Sequence, residues 1–184
     1  AEVARSDAAF EGFRNWMDAT YPAFTGATKR EIFGGHTLLY RWEGENAALE
    51  PVLMMSHIDV VPIAPGTEDQ WEHPPFSGAI ADGYVWGRGT IDNKGSLIAM
   101  VEAAELLVKR GFRPQRTIYF AFGHDEEIGG GEGNKAIATA FAERGIRLAW
   151  VKDEGGVIGH GLLPGVSTPV ATIGVAEKGS ISLD

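Results

Sequence analysis

The chain has 184 residues, of which 44% are hydrophobic, enough for one folded domain or part of a larger one. Its 25 acidic and 16 basic side chains give a formal net charge of −9, which argues against a nucleic acid or an anionic membrane as partner and favours small neutral substrates and metal cations. Cysteine is absent, so disulfides and thiolate metal sites are excluded, and histidine and carboxylate side chains remain as the good metal ligands.

The first part of the chain predicts one helix and a pair of strands. Apolar side chains recur at helical spacing from Phe10 to Met17, which predicts an amphipathic helix that Pro22 brings to an end. Two short alternating stretches follow at 31–33 and 37–42, and the two glycines between them are typical of a hairpin turn.

Three apolar runs further along the chain are too short for helices and predict strands that are buried on both faces. These runs are residues 51–56, 117–122 and 148–151. Helical periodicity lies between them, over 97–110 and 134–144, and a glycine follows each predicted helix. The alternation predicts an α/β fold with a largely parallel sheet, flanked by helices and connected by right-handed crossovers.

Polar clusters follow all three of these predicted strands. They are His57 with Asp59, then Asp125 with Glu126 and Glu127, then Asp153 with Glu154. One acidic residue at such a position most often caps a helix or faces solvent. Because ligands of open α/β sheets bind beyond the carboxyl ends of the strands, three clusters at one edge indicate a functional site instead.

The residue types at this edge are those of a metallohydrolase. His57 and Asp59 are two residues apart, so in extended chain their side chains point the same way and the carboxylate can orient the imidazole. The adjacent Glu126 and Glu127 diverge, so one can coordinate a metal while the other accepts a proton from water. The alternatives are a core histidine bonded to a backbone carbonyl and a solvated acidic turn.

Asp92 lies within the glycine-rich segment 87–95. This segment lacks the Gly-x4-Gly-Lys-Ser/Thr spacing of a phosphate loop, and a central aspartate would repel phosphate, so nucleotide binding is disfavoured. An aspartate held in such a loop can instead bridge two cations with its two carboxylate oxygens.

Three segments together resemble the motifs of the M20 metallopeptidase family. They are HIDVVP at 57–62, GRGTIDNKG at 87–95 and GHDEEIGG at 123–130. The similarity extends over about residues 50–180. Within the family, VKDEGG at 151–156 and VAEKGS at 175–180 most resemble the branch that contains carboxypeptidase S, the N-acyl-amino-acid hydrolases of the PM20D1 type and, more distantly, aminoacylase-1.

The resemblance implies a site with two Zn²⁺ ions, for which Co²⁺ can substitute. By position in the motifs, His57 binds one zinc, Asp92 bridges the two and Glu127 binds the other. Glu154 is the favoured fourth ligand in this chain, and its neighbour Asp153 is the alternative.

The resemblance also implies the reaction, which is hydrolysis of an amide bond next to a free carboxylate in a peptide or an N-acyl amino acid. Asp59 orients the metal-binding imidazole, and Glu126 is the general base that takes a proton from the metal-bridging water and passes it to the leaving nitrogen. Carboxypeptidase, dipeptidase, deacetylase and desuccinylase activities remain open. A non-catalytic domain that binds a small ligand or a partner is the alternative of another class, and the intact Glu126–Glu127 pair argues against it.

Members of the family are about twice as long or more. The resemblance therefore implies that residues 1–184 are the N-terminal part of the catalytic domain. A lid domain that often carries the homodimer contact, the C-terminal part of the catalytic domain and a last histidine ligand would lie outside the chain, which alone is expected to be inactive. The other histidines do not match that ligand motif and are predicted to be structural or on the surface; they are His36, His73, His124 and His160.

Membrane insertion is not predicted. No apolar run approaches the roughly 20 residues of a membrane span, and residues 1–13 lack the basic and apolar regions of a signal peptide. The first residue is Ala rather than Met, so an upstream signal peptide could have been removed. We therefore expect a soluble protein and leave both a cytoplasmic and an exported location open.

Overall fold

The computed structural model describes residues 7–155 and 158–175. Its helices are α1 (Asp7–Thr20), α2 (Pro22–Ala27), α3 (Gly95–Lys109) and α4 (Asn134–Glu143). Its strands are β1 (Lys29–Phe33), β2 (Thr37–Trp42), β3 (Val52–His57), β4 (Ala79–Ala81), β5 (Tyr84–Trp86), β6 (Ile118–Gly123), β7 (Trp150–Lys152), β8 (Ile158–Gly159) and β9 (Val170–Ala171). Residues 156 and 176–180, which carry part of the family resemblance, lie outside the described residues.

The chain divides into two compact units, Ala1–Lys152 and Asp153–Asp184. In the second unit, β8 and β9 form an antiparallel pair. The first unit contains a five-stranded sheet in the order β1-β2-β6-β3-β7 and the β4–β5 hairpin. None of the helices within the described residues is long and apolar enough to cross a membrane.

Four strands of the five-stranded sheet point the same way. β3 pairs in parallel with both β6 and β7, whereas β2 runs antiparallel to β6 and to β1. This arrangement confirms the predicted α/β fold with a largely parallel sheet. The one reversed strand, β2, follows from the β1–β2 hairpin that the glycine pair predicts.

Helices cover both faces of this sheet, because alternate side chains of each strand point to opposite sides. On one face, α1, α2 and α3 pack on the sheet through apolar residues that include Met17, Phe24 and Leu97. On the other face, α4 packs through Ile137 and Phe141. Removing each such large apolar side chain from water contributes about 1.5–3 kcal/mol to the stability of the sheet–helix layers.

Pro22 separates α1 from α2. α1 ends at Thr20, as the sequence predicts, and Pro22 then begins α2. Proline is tolerated in the first turn of a helix because the N–H that it lacks would have no partner within the helix.

The prediction of a buried strand at 148–151 is right for the strand and wrong for its burial. Strand β7 is found at Trp150–Lys152, but Trp150 and Val151 are 51% and 49% exposed. The reason is position: β7 lies at the end of the strand order, so within the described residues only β3 pairs with it. An apolar run alone does not distinguish a central strand from an edge strand.

The register of β3 and β6 determines where the polar clusters meet. His57 is the last residue of β3 and is the register partner of Gly123, the last residue of β6. The backbone N–H of Ile58 donates to the carbonyl oxygen of Gly123 at 2.7 Å. The segments that leave the two strands therefore begin side by side, at the same edge of the sheet.

Candidate metal centre

His57 is buried at the end of β3, and both of its ring nitrogens have partners. Nδ1 lies 3.1 Å from the backbone oxygen of Asp59 and 3.3 Å from its carboxylate oxygen Oδ1. Nε2 lies 2.8 Å from Oδ1 of Asp92. A histidine whose Nδ1–H donates to the protein presents Nε2 as the nitrogen that can bind a metal, and here Nδ1 faces Asp59 while Nε2 faces Asp92.

Asp59 connects the two strand ends. While Oδ1 faces the His57 ring, Oδ2 accepts the backbone N–H of Glu127 at 3.0 Å. Burial raises the pKa of the Asp59 carboxyl, but the hydrogen bonds from His57 and from the Glu127 backbone outweigh burial and hold the pKa below its usual value. Asp59 is therefore an anion that holds both the imidazole and the start of the glutamate turn.

Asp92 is presented by an irregular turn at Thr90–Lys94, just before α3. Its φ/ψ values and those of Asn93 are not helical, and the peptide bond between them is cis. The backbone oxygen of Asn93 accepts the hydroxyl of Ser56 at 3.0 Å, which ties the turn to β3. The Asp92 side chain is largely exposed, so its second carboxylate oxygen is accessible to a further ligand.

Gly89 allows this turn to lie close to the loop that follows β3. Its φ is +88°, in the left-handed region, and a Cβ there would lie 2.7 Å from Cγ1 of Val60 and 3.0 Å from Nζ of Lys94. A side chain at this position would therefore be strained and would also collide with Val60. The glycine-rich composition of the segment thus serves close packing around Asp92.

Glu126 and Glu127 form a short turn of 3₁₀ helix directly after β6. The side chains of Glu127, His57 and Asp92 each offer one ligand atom, and these three atoms lie within 4.8 Å of one another. Oε2 of Glu126 lies 4.0 Å from Nε2 of His57. The structure thus brings four residues singled out in the sequence to one place, from three separate segments.

The chemistry of this donor set fits a divalent cation. One imidazole nitrogen and two carboxylates are ligands that zinc accepts, and the carboxylates supply the negative charge that a cation compensates. The surrounding contacts also fit, because metal-binding histidines usually donate their second N–H to a carboxylate or a backbone carbonyl. Nδ1 of His57 lies beside both kinds of oxygen in Asp59.

Asp153 and Glu154 belong to the second unit. There, Oδ1 of Asp153 accepts the backbone N–H of Glu154 at 2.8 Å. Both side chains are exposed within the described residues. That one of these two carboxylates binds a metal ion, with Glu154 favoured over Asp153, stays a prediction.

The other histidines have contacts of their own. His36 stacks on Phe10, and its Nε2 lies 2.9 Å from Oδ1 of Asp7. His124 is buried, and His160 is exposed. His73 packs against the ring of Trp86 and lies near the exposed carboxylates of Glu72 and Asp82.

Lys94 is a residue at this site that the sequence reasoning missed. Burial lowers the pKa of its ammonium group, and the nearby carboxylates of Asp59, Asp92 and Glu127 counteract this effect in part. Lys94 therefore supplies positive charge within an acidic site. The sequence feature that indicates its place at the site is its position in the segment GRGTIDNKG, two residues after Asp92.

A cavity of about 520 Å³ adjoins the candidate centre and was also not foreseen. Its apolar lining comes from α1, from the loop after β3 and from two further turns, and includes Phe10, Phe13, Val60, Val61, Phe76 and Ile128. Asp59, Lys94 and Glu127 line the same cavity. An apolar group held here would therefore lie beside the residues of the candidate centre.

Comparison with protein families matches residues 53–170 to Peptidase family M20/M25/M40. The chain belongs to this family. The match covers more than half of the chain and includes all three motif segments, so the predicted M20 membership is confirmed.

Among curated M20 relatives, the Probable carboxypeptidase S-like 2 of Dictyostelium discoideum is 44% identical over 176 residues, which are 95% of this chain and 34% of that protein. The human N-fatty-acyl-amino acid synthase/hydrolase PM20D1 is 40% identical over 93% of this chain and 34% of its own length. The chain thus spans about a third of the length of these relatives.

Solved structures agree on the fold. Human carnosine dipeptidase 1 matches with a TM-score of 0.66 and 19% identity, over 85% of this chain and 36% of that one. The M20 family metallo-carboxypeptidase Sso-CP2 from Sulfolobus solfataricus matches with a TM-score of 0.64 and 21% identity, over 80% of this chain and 33% of that one. At these identities the likeness shows the fold alone, which this chain shares with part of each of the two structures.

Proposed function

We propose that the protein containing this chain hydrolyses an amide bond next to a free carboxylate, in a peptide or an N-acyl amino acid. The observation that carries the proposal is the convergence of His57, Asp92 and Glu127 within 4.8 Å, with Glu126 beside them. The M20 membership and the names of the relatives support this substrate class.

We infer that the cluster would hold two zinc ions, one through His57, the other through Glu127 and both through Asp92. Co²⁺ would suit the same ligands. When bound, such cations polarise a carbonyl and lower the pKa of a water molecule. Glu154, or Asp153 in its place, would complete the ligands of this chain, and a histidine from outside it would supply the last.

Glu126 is the proposed general base. Its side chain is partly exposed and lies beside the ligand cluster, so it can reach a water molecule there. The neighbouring Glu127 has its backbone N–H held by Asp59, which fixes the turn that carries both glutamates. In this arrangement Glu126 accepts a proton from the attacking water and donates it to the leaving nitrogen, while Asp59 keeps the imidazole oriented.

We also propose that residues 1–184 are the N-terminal part of the M20 catalytic domain. The chain spans about a third of the relatives' length, which leaves room for a lid domain and for the rest of the catalytic domain. A homodimer through such a lid is part of this proposal.

Within the proposed substrate class, the apolar cavity favours N-acyl amino acids with a long acyl chain. Its volume of about 520 Å³ and its apolar lining suit a flexible hydrocarbon chain. The polar groups of Asp59, Lys94 and Glu127 on the same cavity would place the amide end of such a substrate near Glu126.

The experiment that tests the proposal measures turnover of the full-length protein on a panel of dipeptides, carboxypeptidase substrates and N-acyl amino acids. We expect hydrolysis of at least one class, loss of activity after chelation and recovery with Zn²⁺. A protein that binds neither zinc nor cobalt and cleaves none of these substrates would instead be the non-catalytic binder.

A further inference from the structure

Asp125 directly precedes Glu126 and Glu127, and its own carboxylate binds backbone N–H groups of the loop that follows them. The residue is 3% exposed. Oδ2 accepts the backbone N–H of Glu132 at 2.7 Å and that of Gly133 at 3.3 Å. The side chain therefore binds the far end of the loop that begins with Glu126.

The backbone of Asp125 binds the same loop closer to its start. Its carbonyl oxygen accepts the N–H of Gly130 at 2.7 Å and that of Ile128 at 3.3 Å. All four N–H groups that this residue holds, at 128, 130, 132 and 133, follow Glu126 and Glu127 in the chain. The two glutamates thus lie between Asp125 and the residues bound to it, so their positions depend on these hydrogen bonds.

The packing around the carboxylate is tight on the side of Gly133. A Cβ at that position would collide with Oδ1 of Asp125 and with Oγ1 of Thr37. Thr37 in turn accepts the backbone N–H of His124 at 3.1 Å, and its hydroxyl lies 2.6 Å from Nδ1 of the same histidine. The residue before Asp125 is therefore anchored to β2, which restricts how the turn can move.

Backbone N–H groups bind a charged acceptor more strongly than a neutral one. Burial of a carboxylate is unfavourable unless such donors compensate it. Oδ1 of Asp125 is enclosed and has no hydrogen-bond partner among the described residues. The two N–H donors of the loop thus supply the hydrogen bonds of this carboxylate, and Nδ1 of His124 lies 3.9 Å from Oδ1.

We propose that Asp125 is a positioning residue for Glu126 and Glu127. It acts through the turn and touches neither substrate nor metal. The inference rests on the proposed function of those two glutamates as general base and metal ligand.

The test compares Asp125→Ala and Asp125→Asn in the full-length protein, with Phe141→Leu as a control for general loss of stability. Phe141 lies near the end of α4 and is buried in the core, where it packs on Tyr119. For each variant, kcat, KM, the affinity for Zn²⁺ in competition with a chelator, and the exchange of the amides of Glu132 and Gly133 are measured.

We expect Asp125→Ala to lower kcat and zinc affinity by about tenfold or more, with KM changed by less than about threefold. Asp125→Asn retains an oxygen acceptor for the two N–H groups but not its charge, so it should recover part of both losses. Phe141→Leu should lower the melting temperature while kcat and zinc affinity stay near wild type.

The inference fails if Asp125→Ala and Phe141→Leu, at similar melting temperatures, change kcat and zinc affinity by the same factors. It also fails if Asp125→Ala speeds amide exchange of Glu132 and Gly133 without any change in kcat or zinc affinity. The zinc measurement separates this inference from the proposed function. If the wild type binds zinc but cleaves no amide substrate, the proposed reaction fails, while the affinities still decide the role of Asp125.

Discussion

Nε2 of His57 lies 2.8 Å from Oδ1 of Asp92, although 35 residues separate the two in the chain. Two kinds of local structure bring them together: the end of a central strand and an irregular turn before α3. Because Asp59 binds the opposite ring nitrogen, the imidazole cannot turn away without losing that contact. Contacts on both ring nitrogens therefore hold the imidazole in the candidate centre.

Glu126→Gln should lower kcat by about 10²–10⁴-fold, because the amide cannot accept the proton of the attacking water. The metal content should stay at the wild-type value, since Glu126 is not a proposed ligand. Steady-state kinetics and elemental analysis of the full-length protein check both points. Glu11→Gln, an exposed change on α1, is the matched control, and retained turnover in Glu126→Gln would refute the assignment.

His57→Ala should remove most of the stabilisation that zinc confers. A ligand that binds only the folded state stabilises it by about 2.7 kcal/mol at 100 times its Kd, so the melting temperature of the wild type should rise with added Zn²⁺. The rise should be absent or much smaller in His57→Ala. His160→Ala, which changes an exposed histidine, should respond like the wild type. An unchanged zinc response in His57→Ala would show that the ion binds elsewhere.

Phe76→Ala tests the apolar cavity. Phe76 lines the cavity and is 68% exposed, so its removal should cost little stability. We expect KM to rise by about tenfold for long-chain N-acyl amino acids, which corresponds to about 1.4 kcal/mol of lost apolar contact, and to change little for short-chain substrates. Ile80→Ala removes a side chain that is 84% exposed and does not line the cavity, so it is the control. Equal effects on long and short chains would exclude the cavity as the acyl site.

Glu105 predicts a pH dependence of stability. It lies on α3, and its carboxylate accepts the backbone N–H groups of Phe24 at 2.6 Å and Ala23 at 3.3 Å, in the first turn of α2. Burial raises the pKa of Glu105, but these hydrogen bonds and the ion pair with Lys109 outweigh burial and lower the pKa. A carboxyl whose pKa is lower in the folded state stabilises the fold above its unfolded pKa, and this contribution is lost as the pH falls through the folded value.

Glu105→Gln should therefore lower the free energy of unfolding by about 1–3 kcal/mol at pH 7. The difference from the wild type should shrink as the pH falls below about 4.5, the ordinary value for glutamate. Urea unfolding at several pH values measures this difference, with the exposed Glu143→Gln as control. A difference that stays constant or grows on acidification would contradict the predicted sign.

Much of the fold and the candidate site could be predicted without coordinates. Periodicity located α1, α3, α4 and the strands of the five-stranded sheet to within a few residues, but it did not predict α2 or the β4–β5 hairpin. The polar residues after the predicted strands pointed to one edge, because parallel strands end on the same side of a sheet. That reasoning led to His57, Glu126 and Glu127, which the structure places at adjacent strand ends, and the motif around Asp92 added the fourth residue of the cluster.

The sequence by itself thus determined the α/β class, the M20 membership and the side chains that converge at the sheet edge, because these depend on local pattern and on motif spacing. Only the tertiary structure decided that β7 is an exposed edge, that Lys94 lies among the carboxylates and that α1 closes an apolar cavity beside them. It also decided that the Asp125 carboxylate faces its own loop. These features depend on contacts between segments distant in the chain, which local sequence patterns do not specify; for Lys94 alone, its place two residues after Asp92 pointed to the site.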